Sequence, residues 1–270
     1  MSEISLLSLA DYHMHTPLCK HASGAPWEYV EKAIERGLGE IGFSDHCPMP
    51  PWYDPDFRMN SNQMPIYQRI VDDARQRFSD YKVKFGIEAD FHPGTELYIE
   101  TLTKDYDFDY VIGSVHYIND WGFDNPDLVH RYDEMSIEDI WERYFFLWEQ
   151  AICTGLFDIM AHPDLVKKFG HRPKGDLTQY YKGPLYQCMK MGVAIEVSTA
   201  GLRKPVGEIY PSEDFLKIAF EHNIPIVISS DAHKPAEVGM DFEKALELVK
   251  KIGYRRTARF TQRKIEFIDI

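Results

Sequence analysis

Short apolar runs alternate with amphipathic, helix-forming segments along nearly the whole chain. We predict seven strands, over residues 4–9, 40–45, 82–90, 110–117, 158–163, 193–199 and 225–232. Segments with helical apolar spacing follow them, over residues 26–38, 64–80, 94–104, 136–154, 177–191, 212–222 and 235–252. Buried strands that alternate with helices indicate a parallel sheet, and seven such units predict an α/β fold, a distorted (β/α)7 TIM-like barrel.

The composition bears on the number of domains. The chain has 270 residues, of which 44% are hydrophobic and 27% charged, and no break in composition divides it. These values are typical of a globular protein that buries a sizeable core. We therefore expect a single domain over residues 1–270.

The net charge limits the possible partners. A formal charge of −13 disfavours nucleic acid, because phosphate backbones are bound by clustered Lys and Arg. A small anionic substrate is still allowed, since bound metal ions reverse the sign of the local field. No stretch reaches the about 18 consecutive apolar residues of a membrane span, and the first residues lack the basic start of a signal peptide. We expect a cytoplasmic protein with no membrane partner, whose four cysteines are reduced thiols.

A His-x-His pair, His13 and His15, follows the first predicted strand. Side chains two residues apart on a strand point to the same side, so both imidazoles are expected to aim at one point. Neutral imidazole is the commonest metal ligand in proteins. His21 lies on the loop beyond, within reach of the same point.

More histidines and carboxylates stand where the other predicted strands end. They are His46, Glu88, His116, His162, Asp231 and His233. In a βα barrel the carboxyl ends of the strands form the rim that carries the active site. Four other histidines, His92, His130, His171 and His222, do not share this placement. Because histidines without a common role would be scattered over the chain, the clustering predicts a metal site.

The number of candidate ligands indicates more than one metal ion. A single zinc takes about four ligands, whereas nine are available here, so we predict two or three divalent ions, Zn, Mn or Fe, with Glu88 able to bridge two of them. Two ions about 3.5–4 Å apart hold a bridging hydroxide and clamp the phosphoryl oxygens during ester hydrolysis. We predict Asp231, His233 and Asp45 as catalytic residues. The proton donor to the leaving group stays open among Asp45, Asp231 and a metal-bound water.

Six segments of the chain carry a family resemblance. They are HMHTPLCKHA, GFSDHCP, GIEAD, IGSVHY, AHPDLVKKFG and SSDAH. In this order they resemble the successive motifs of the PHP (polymerase and histidinol phosphatase) family of metal-dependent phosphoesterases, from about residue 10 to residue 240. The segments STAGLRKP and EIYP are similar to the histidinol-phosphatase branch of that family.

This resemblance implies a fold, an activity and a set of ligands. The fold is the PHP barrel, and the activity is hydrolysis of L-histidinol phosphate to L-histidinol and phosphate in histidine biosynthesis. One metal would be held by His13, His15, Glu88 and Asp231. A second would be held by Glu88, His116 and His162, and a third by His21, His46 and His233.

Substrate contacts follow from the chemistry of this phosphate ester. We predict Arg203 as a bidentate phosphate clamp, with a surface Arg paired to Glu208 as the alternative. Lys204 and Lys168 are further cationic candidates. The substrate also carries an ammonium and an imidazole, which call for a carboxylate and an aromatic wall. Candidates for these follow His116 in the loop, and they are Tyr117, Trp121, Phe123 and Asp124.

Other functions are compatible with parts of this pattern. The nearest alternative is a PHP phosphoesterase that acts on another small phosphate monoester or nucleotide. An amidohydrolase that cleaves C–N bonds also begins with His-x-His, although such barrels often use a bridging carbamylated lysine where Glu88 stands here. A non-catalytic metal-binding role would need closed coordination shells. The sequence makes no prediction of the oligomeric state.

Overall fold

A sheet of parallel strands curls into a nearly closed barrel in the computed structural model, which describes residues 6–270. The strands are β1 (Ala10–Asp11), β2 (Glu40–Phe43), β3 (Lys82–Asp90), β4 (Tyr110–Ser114), β5 (Tyr117–Ile118), β6 (Trp121–Gly122), β7 (Ile159–Met160), β8 (Ala194–Ser198), β9 (Ile226–Ser229), β10 (Arg256–Thr261) and β11 (Lys264–Asp269). The barrel order is β1-β2-β3-β4-β7-β8-β9, and every neighbouring pair is parallel. The prediction of a distorted (β/α)7 barrel is confirmed.

The two edges of the sheet meet just beyond β1 and β9. The backbone N–H of His15 donates to the carbonyl of Ala232 over 2.9 Å, and the N–H of Ala232 donates to the carbonyl of His13 over 3.0 Å. These hydrogen bonds join the segments that carry the His-x-His pair and Asp231. Closure of the barrel therefore fixes the backbone at the predicted metal site.

Helices connect the barrel strands and surround them. They are α1 (Pro26–Glu35), α2 (Met64–Arg77), α3 (Glu96–Asp105), α4 (Ile137–Cys153), α5 (Thr178–Met191), α6 (Glu213–Glu221) and α7 (Phe242–Ile252). Ser136 caps α4, since its side chain accepts a hydrogen bond from the N–H of Asp139 over 3.1 Å. The helix α5 continues through Pro184.

The C-terminal hairpin β10–β11 closes the amino end of the barrel. Its turn residues, Gln262 and Arg263, have φ of 49° and 61°, as a two-residue type I′ turn requires. Phe260 is buried inside the barrel with Tyr12 and Tyr110. Because this end is filled by side chains, a ligand can enter the barrel only from the carboxyl ends of the strands.

Two local predictions were wrong in detail. The first strand was predicted over residues 4–9; residue 4 lies outside the described part of the chain, and the strand is at Ala10–Asp11. Leu6 and Leu9 are buried by a turn closed by a hydrogen bond from the N–H of Leu9 to the carbonyl of Leu6, 2.8 Å long, so their spacing reflects a turn. Between residues 117 and 136, where the sequence predicted neither a strand nor a helix, the chain forms most of the β5–β6 hairpin and a 3-10 helix, Pro126–Glu134.

Within residues 6–270, no helix combines the length and the apolarity that crossing a bilayer demands.

Candidate metal centre

The nine predicted ligands lie together at the carboxyl end of the barrel. His13 and His15 follow β1, His46 follows β2, and Glu88 is near the end of β3. His116 follows β4, His162 follows β7, and Asp231 and His233 follow β9. His21, on the loop after β1, completes the set, which we call the ligand cluster. The parallel arrangement of the strands produces this convergence, because it points all their carboxyl ends the same way.

Glu88 occupies the middle of the ligand cluster. Its Oε2 atom lies 2.9 Å from Nδ1 of His46 and 3.3 Å from Nε2 of His13. Its Oε1 atom lies 3.4 Å from Nε2 of His162 and 3.9 Å from Nε2 of His116. The two carboxylate oxygens thus face different groups of imidazoles, which is the arrangement that a bridging carboxylate requires.

Ligand atoms in the cluster fall into groups of the size that a metal ion needs. Three groups each have their ligand atoms within 4.8 Å of one another: His13, His15 and Glu88; Glu88, His116 and His162; and His21, His46 and His233. Asp231 joins the first group, since its Oδ1 atom is 3.2 Å from Nε2 of His15. These groups match the three ligand sets that the family resemblance implies.

Unpaired buried atoms show that the cluster is suited to bind a cation. Nε2 of His13, Nε2 of His15, Nδ1 of His46 and Oε2 of Glu88 are buried, and none has a hydrogen-bond partner within residues 6–270. Buried polar atoms in proteins are nearly always paired, because desolvation without a partner costs about 1–3 kcal/mol. Mixed imidazole and carboxylate donors suit a divalent transition metal, so this is a metal-binding site.

The electrostatics of the cluster divide the histidines into two classes. Burial lowers the pKa of His13, but the charges of Glu196, Glu88 and Asp231 outweigh burial and raise it well above its ordinary value. Burial and the neighbouring imidazoles of His46 and His15 instead lower the pKa of His21 to about 4. The buried carboxylates therefore favour positive charge at the inner end of the cluster, which a bound cation would supply in place of a proton, whereas the outer imidazole of His21 is neutral and able to act as a ligand.

Two buried carboxylates orient the ligating imidazoles from behind. Nδ1 of His13 donates to Glu196 over 2.6 Å, and Nδ1 of His116 donates to Asp90 over 2.8 Å. Each hydrogen bond leaves Nε2 of its imidazole turned towards Glu88. A carboxylate in this position fixes the tautomer and the ring orientation of a metal-ligating histidine.

Asp90 also ties the cluster to the loop after β2. Its Oδ2 atom accepts a hydrogen bond from Nη2 of Arg58 over 2.7 Å and one from the hydroxyl of Tyr53 over 3.1 Å. We expect Asp90→Asn to lower kcat/KM by about 10- to 100-fold, because the amide cannot hold His116 and Arg58 as the carboxylate does. Steady-state kinetics with metal analysis would measure this effect.

Asp109→Asn is the matched control for that variant. Asp109 is also buried and also pairs with an arginine, Arg75, over 2.9 Å, but it lies at the amino end of the barrel. We expect Asp109→Asn to lower the stability of the protein without changing its metal content. Equal losses of activity in both variants at equal folded fraction would show that Asp90 has no special role.

Two ligands have unusual backbone conformations. The φ angles are 26° for His162 and 50° for Asp231, in the region that residues other than glycine rarely adopt. At His162 this conformation is held by its N–H, which donates to Oε2 of Glu196 over 2.7 Å. Such strain is typical of functional sites, where the surrounding structure fixes it.

Asp45 does not face the site as the predicted proton donor should. It is fully buried behind His15, with Oδ1 3.5 Å from Nδ1 of that ring, and it accepts hydrogen bonds from the side chain and the N–H of Thr16. Its oxygens are therefore occupied by the protein and separated from any substrate. The prediction of Asp45 as a catalytic residue is wrong in this respect, and its position is that of a residue that orients His15.

A cavity of about 490 Å³ opens above the ligand cluster. Seven of the nine ligands line it: His21, His46, Glu88, His116, His162, Asp231 and His233. Its other walls include the cations Arg58, Lys168 and Lys204, the carboxylates Asp54, Asp124 and Asp127, and the aromatic residues Phe57, Tyr117 and Tyr210. The cavity thus offers cations and carboxylates on different residues, as a ligand with both charges would need.

Arg203, the predicted phosphate clamp, is not among the residues that line this cavity. Its Nη2 atom donates to the carbonyl of Ser230 over 2.6 Å, and its Nε atom lies 3.8 Å from Glu237. The alternative pairing with Glu208 is also absent from the described residues, because Glu208 pairs with Arg172 over 2.7 Å. Arg203 thus supports the backbone before Asp231, while its buried Nη1 atom has no hydrogen-bond partner within residues 6–270. Its role as a direct phosphate clamp stays a prediction.

The other predicted substrate contacts divide into two groups. Lys168, Lys204 and Tyr117 line the cavity, as does Asp124, which accepts a hydrogen bond from Nζ of Lys168 over 3.0 Å. Phe123 does not reach it; this ring is fully buried between the rings of Trp121 and Tyr144. Phe123 was placed in the cavity because it stands in a loop after a ligand, but its side chain belongs to the core.

Several residues of the site were not found from the sequence. Glu196 gave a usable signal, since it is the one carboxylate in the apolar strand β8. Asp90 gave another, because it lies two residues after Glu88 and so faces the same side of β3. Arg58 gave none, and Tyr210 was noticed only as part of the EIYP segment that resembles the histidinol-phosphatase branch. Their loops carry no periodicity, and only the tertiary structure brings them to the cavity.

Comparison with known proteins identifies similar chains. The family model described as the PHP domain matches residues 11–200. A protein of Deinococcus radiodurans named probable histidinol-phosphatase is 44% identical over 262 residues, which covers 97% of this chain and all 100% of that protein. Histidinol-phosphatase of Bacillus subtilis is 29% identical over 265 residues, which covers 88% of this chain and 98% of that protein.

A solved structure shows the same fold. The crystal structure of histidinol phosphate phosphatase from Lactococcus lactis, complexed with zinc, L-histidinol and phosphate, has a TM-score of 0.83 to this chain. The two chains are 24% identical, and the likeness covers 96% of this chain and 99% of the other. At this identity the likeness establishes the barrel architecture alone.

Proposed function

Since this chain belongs to the PHP domain family, we propose that it is a histidinol-phosphatase that hydrolyses L-histidinol phosphate to L-histidinol and phosphate. The relative with 44% identity over nearly the full length carries that name. The likeness to a fold seen with L-histidinol and phosphate bound agrees with it. The reaction is a step of histidine biosynthesis, and residues 1–270 act in it as one domain.

One structural observation carries the proposal. Two of the three ligand groups contain Glu88, and the third lies beside it. All three open onto one cavity, which is also lined by lysines and carboxylates. A structural metal site would be closed by protein ligands, whereas this one faces a space large enough for a small phosphate ester. The arrangement therefore supports catalysis on a small molecule.

The ligand cluster would hold three divalent ions, zinc, manganese or iron. His13, His15, Glu88 and Asp231 would hold the first, Glu88, His116 and His162 the second, and His21, His46 and His233 the third. When bound, such ions lower the pKa of coordinated water and neutralise the charge of the phosphoryl oxygens. The protein's own part is to keep these side chains in place, which Glu196, Asp90 and Asp45 do by hydrogen bonds and close contacts.

The remaining residues of the cavity would bind the organic part and the phosphate. Lys204 and Lys168 provide positive charge for the phosphate, and Asp54 and Asp127 provide negative charge for the ammonium. Tyr117 offers an aromatic wall for the imidazole. Asp231 and His233 lie at the boundary between the ligand cluster and the cavity, where they would contact both a bound metal and the substrate.

An assay of phosphate release tests the proposal against its alternatives. Metal-loaded protein would be given L-histidinol phosphate, nucleoside monophosphates and short oligonucleotides at equal concentrations. We expect the highest kcat/KM with L-histidinol phosphate, because the cavity has carboxylates for its ammonium. A preference for nucleotides would support the alternative phosphoesterase function and contradict the proposed substrate.

Lys204 is the lysine of the cavity that the protein leaves available for an anion. It forms no ion pair with a carboxylate of the described chain, whereas Lys168 pairs with Asp124 over 3.0 Å. We expect Lys204→Met to raise KM for L-histidinol phosphate by about 10-fold, as loss of one hydrogen bond to a charged group predicts. The control is Lys182→Met on the exposed face of α5, which should change neither KM nor kcat. An unchanged KM in Lys204→Met would exclude this contact.

A further inference from the structure

Tyr210 presents an unused hydrogen-bonding group to the cavity. Its ring is 1% exposed, yet the residue lines the cavity above the ligand cluster. Its hydroxyl is buried and has no hydrogen-bond partner within residues 6–270. Burying a hydroxyl without a partner is unfavourable by about 1–3 kcal/mol, so an atom of this kind at a binding site indicates that a ligand completes its hydrogen bonding.

The backbone around Tyr210 is held firmly in place. Its N–H donates to the carbonyl of Ser198 over 3.0 Å, and its carbonyl accepts from the N–H of Ser198 over 2.6 Å. On one side, the carbonyl of Ile209 accepts from the buried Nζ of Lys167 over 2.9 Å. On the other, the N–H of Ser212 donates to Asp164 over 2.8 Å. The phenol is therefore presented to the cavity by a rigid segment.

Two of the acidic groups near the hydroxyl, Asp124 and Asp231, have other partners. Asp124 is paired with Lys168 over 3.0 Å, and Asp231 lies 3.2 Å from Nε2 of His15. Burial, and after it the charges of Asp164, Asp124 and Asp231, raise the pKa of Tyr210, so the phenol keeps its proton at neutral pH. The hydroxyl is thus a hydrogen-bond donor that stands ready for an acceptor from the substrate.

The substrate chemistry indicates which acceptor this is. L-histidinol phosphate, on the function proposed above, offers acceptors at its phosphoryl oxygens and at one imidazole nitrogen, whereas its ammonium only donates. The phosphoryl group is the part that must lie at the ligand cluster, next to Asp231 and His162, and these residues line the same cavity as Tyr210. We propose that the hydroxyl of Tyr210 donates a hydrogen bond to a phosphoryl oxygen of the bound substrate.

Tyr210→Phe tests this contact, because phenylalanine keeps the ring and removes only the hydroxyl. Binding of inorganic phosphate to metal-loaded protein would be measured by titration calorimetry. We expect Kd for phosphate to rise by about 10-fold or more, as for other hydrogen bonds to charged groups. The melting temperature without phosphate should stay the same or rise, because an unpaired buried hydroxyl has been removed.

Tyr254→Phe is the matched control. Tyr254 is also buried, but its hydroxyl donates to the carbonyl of Ile224 over 3.2 Å, away from the cavity. This variant should lower the melting temperature and leave the Kd for phosphate unchanged. Weaker phosphate binding in Tyr210→Phe alone, together with a lower melting temperature in Tyr254→Phe alone, would separate a substrate contact from a structural hydrogen bond.

Three outcomes would overturn the proposal. Unchanged phosphate affinity with a lower melting temperature in Tyr210→Phe would assign the hydroxyl to Asp164, whose Oδ1 is also unpaired. If Tyr210→Phe weakened the binding of L-histidinol but not that of phosphate, the hydroxyl would contact the organic part of the substrate. A wild-type protein that does not bind phosphate would exclude the contact altogether. If the wild type fails to hydrolyse L-histidinol phosphate while Tyr210→Phe still weakens phosphate binding, the proposed function fails and the Tyr210 contact stands.

Discussion

Replacing Glu88 by glutamine should reduce kcat for phosphate release by about 1,000-fold or more, beyond the about 10- to 100-fold typical of a group that only supports a ligand. Glu88 is fully buried, and five imidazole nitrogens lie 2.9 to 3.9 Å from its two oxygens. Glutamine keeps the shape but removes the negative charge and one acceptor. The loss corresponds to at least about 4 kcal/mol of transition-state stabilisation.

The same substitution should also change the metal content. Because Glu88 belongs to two of the three ligand groups, Glu88→Gln should lower the number of bound ions measured by elemental analysis. It should not prevent folding, since the imidazoles around position 88 can lose their protons and need not remain as uncompensated buried charges. Circular dichroism and gel filtration would establish that the variant is folded before its activity is compared.

Glu40→Gln is the matched control for Glu88→Gln. Glu40 is a carboxylate with 1% exposure at the start of β2, where it accepts a hydrogen bond from Tyr12 and lies 3.5 Å from Nη1 of Arg259. It is as buried as Glu88 but lies at the opposite end of the barrel. Its replacement should reduce stability and leave metal content and kcat unchanged. Wild-type turnover by Glu88→Gln would contradict the assignment of the whole cluster.

Removing the metal with a chelator should abolish phosphate release and lower the melting temperature by several degrees. A ligand that binds only the folded state stabilises it by about 4 kcal/mol at a concentration 1,000 times its Kd, and this stabilisation is lost with the metal. The unpaired buried atoms of His13, His15, His46 and Glu88 indicate where the protein depends on a cation. Differential scanning calorimetry and the phosphate assay would follow both effects in one preparation.

Restoring single metals would then identify the ion that supports activity. Zinc, manganese and iron would be added separately to the chelated protein, and elemental analysis would count the ions per chain against the proposed three. The Glu88→Gln variant is the control here, because the chelator should change its melting temperature much less. Full activity in a protein that analysis shows to be free of metal would overturn the proposed mechanism.

Local sequence patterns predicted most of the fold. The strand Lys82–Asp90 was predicted with the bounds that the structure has, and α4 was predicted within one residue at each end because Ser136 and Gly155 mark its limits. The first strand was misplaced because the apolar residues before it form a turn, and apolar spacing alone does not distinguish a short strand from a buried turn.

The choice of ligands was predictable for a different reason. A residue at the carboxyl end of a barrel strand has its position set by the fold, so six strand ends were enough to name eight ligands. Residues on loops have no such constraint. Asp45 and Phe123 each stand within a few residues of a strand end or a ligand, yet each turns away from the cavity to satisfy a hydrogen bond or to pack in the core.

The sequence by itself determined the barrel, its metal-binding chemistry and its family, because these depend on hydrophobic periodicity and on residue types at fixed places along the strands. Only the tertiary structure decided which side chains serve the site from other parts of the chain. Glu196, Asp90, Arg58 and Tyr210 acquire their positions from contacts between strands and loops distant in sequence. The physical reason is that side-chain direction on a loop is set by packing and hydrogen bonding across the whole molecule, and no local pattern records it.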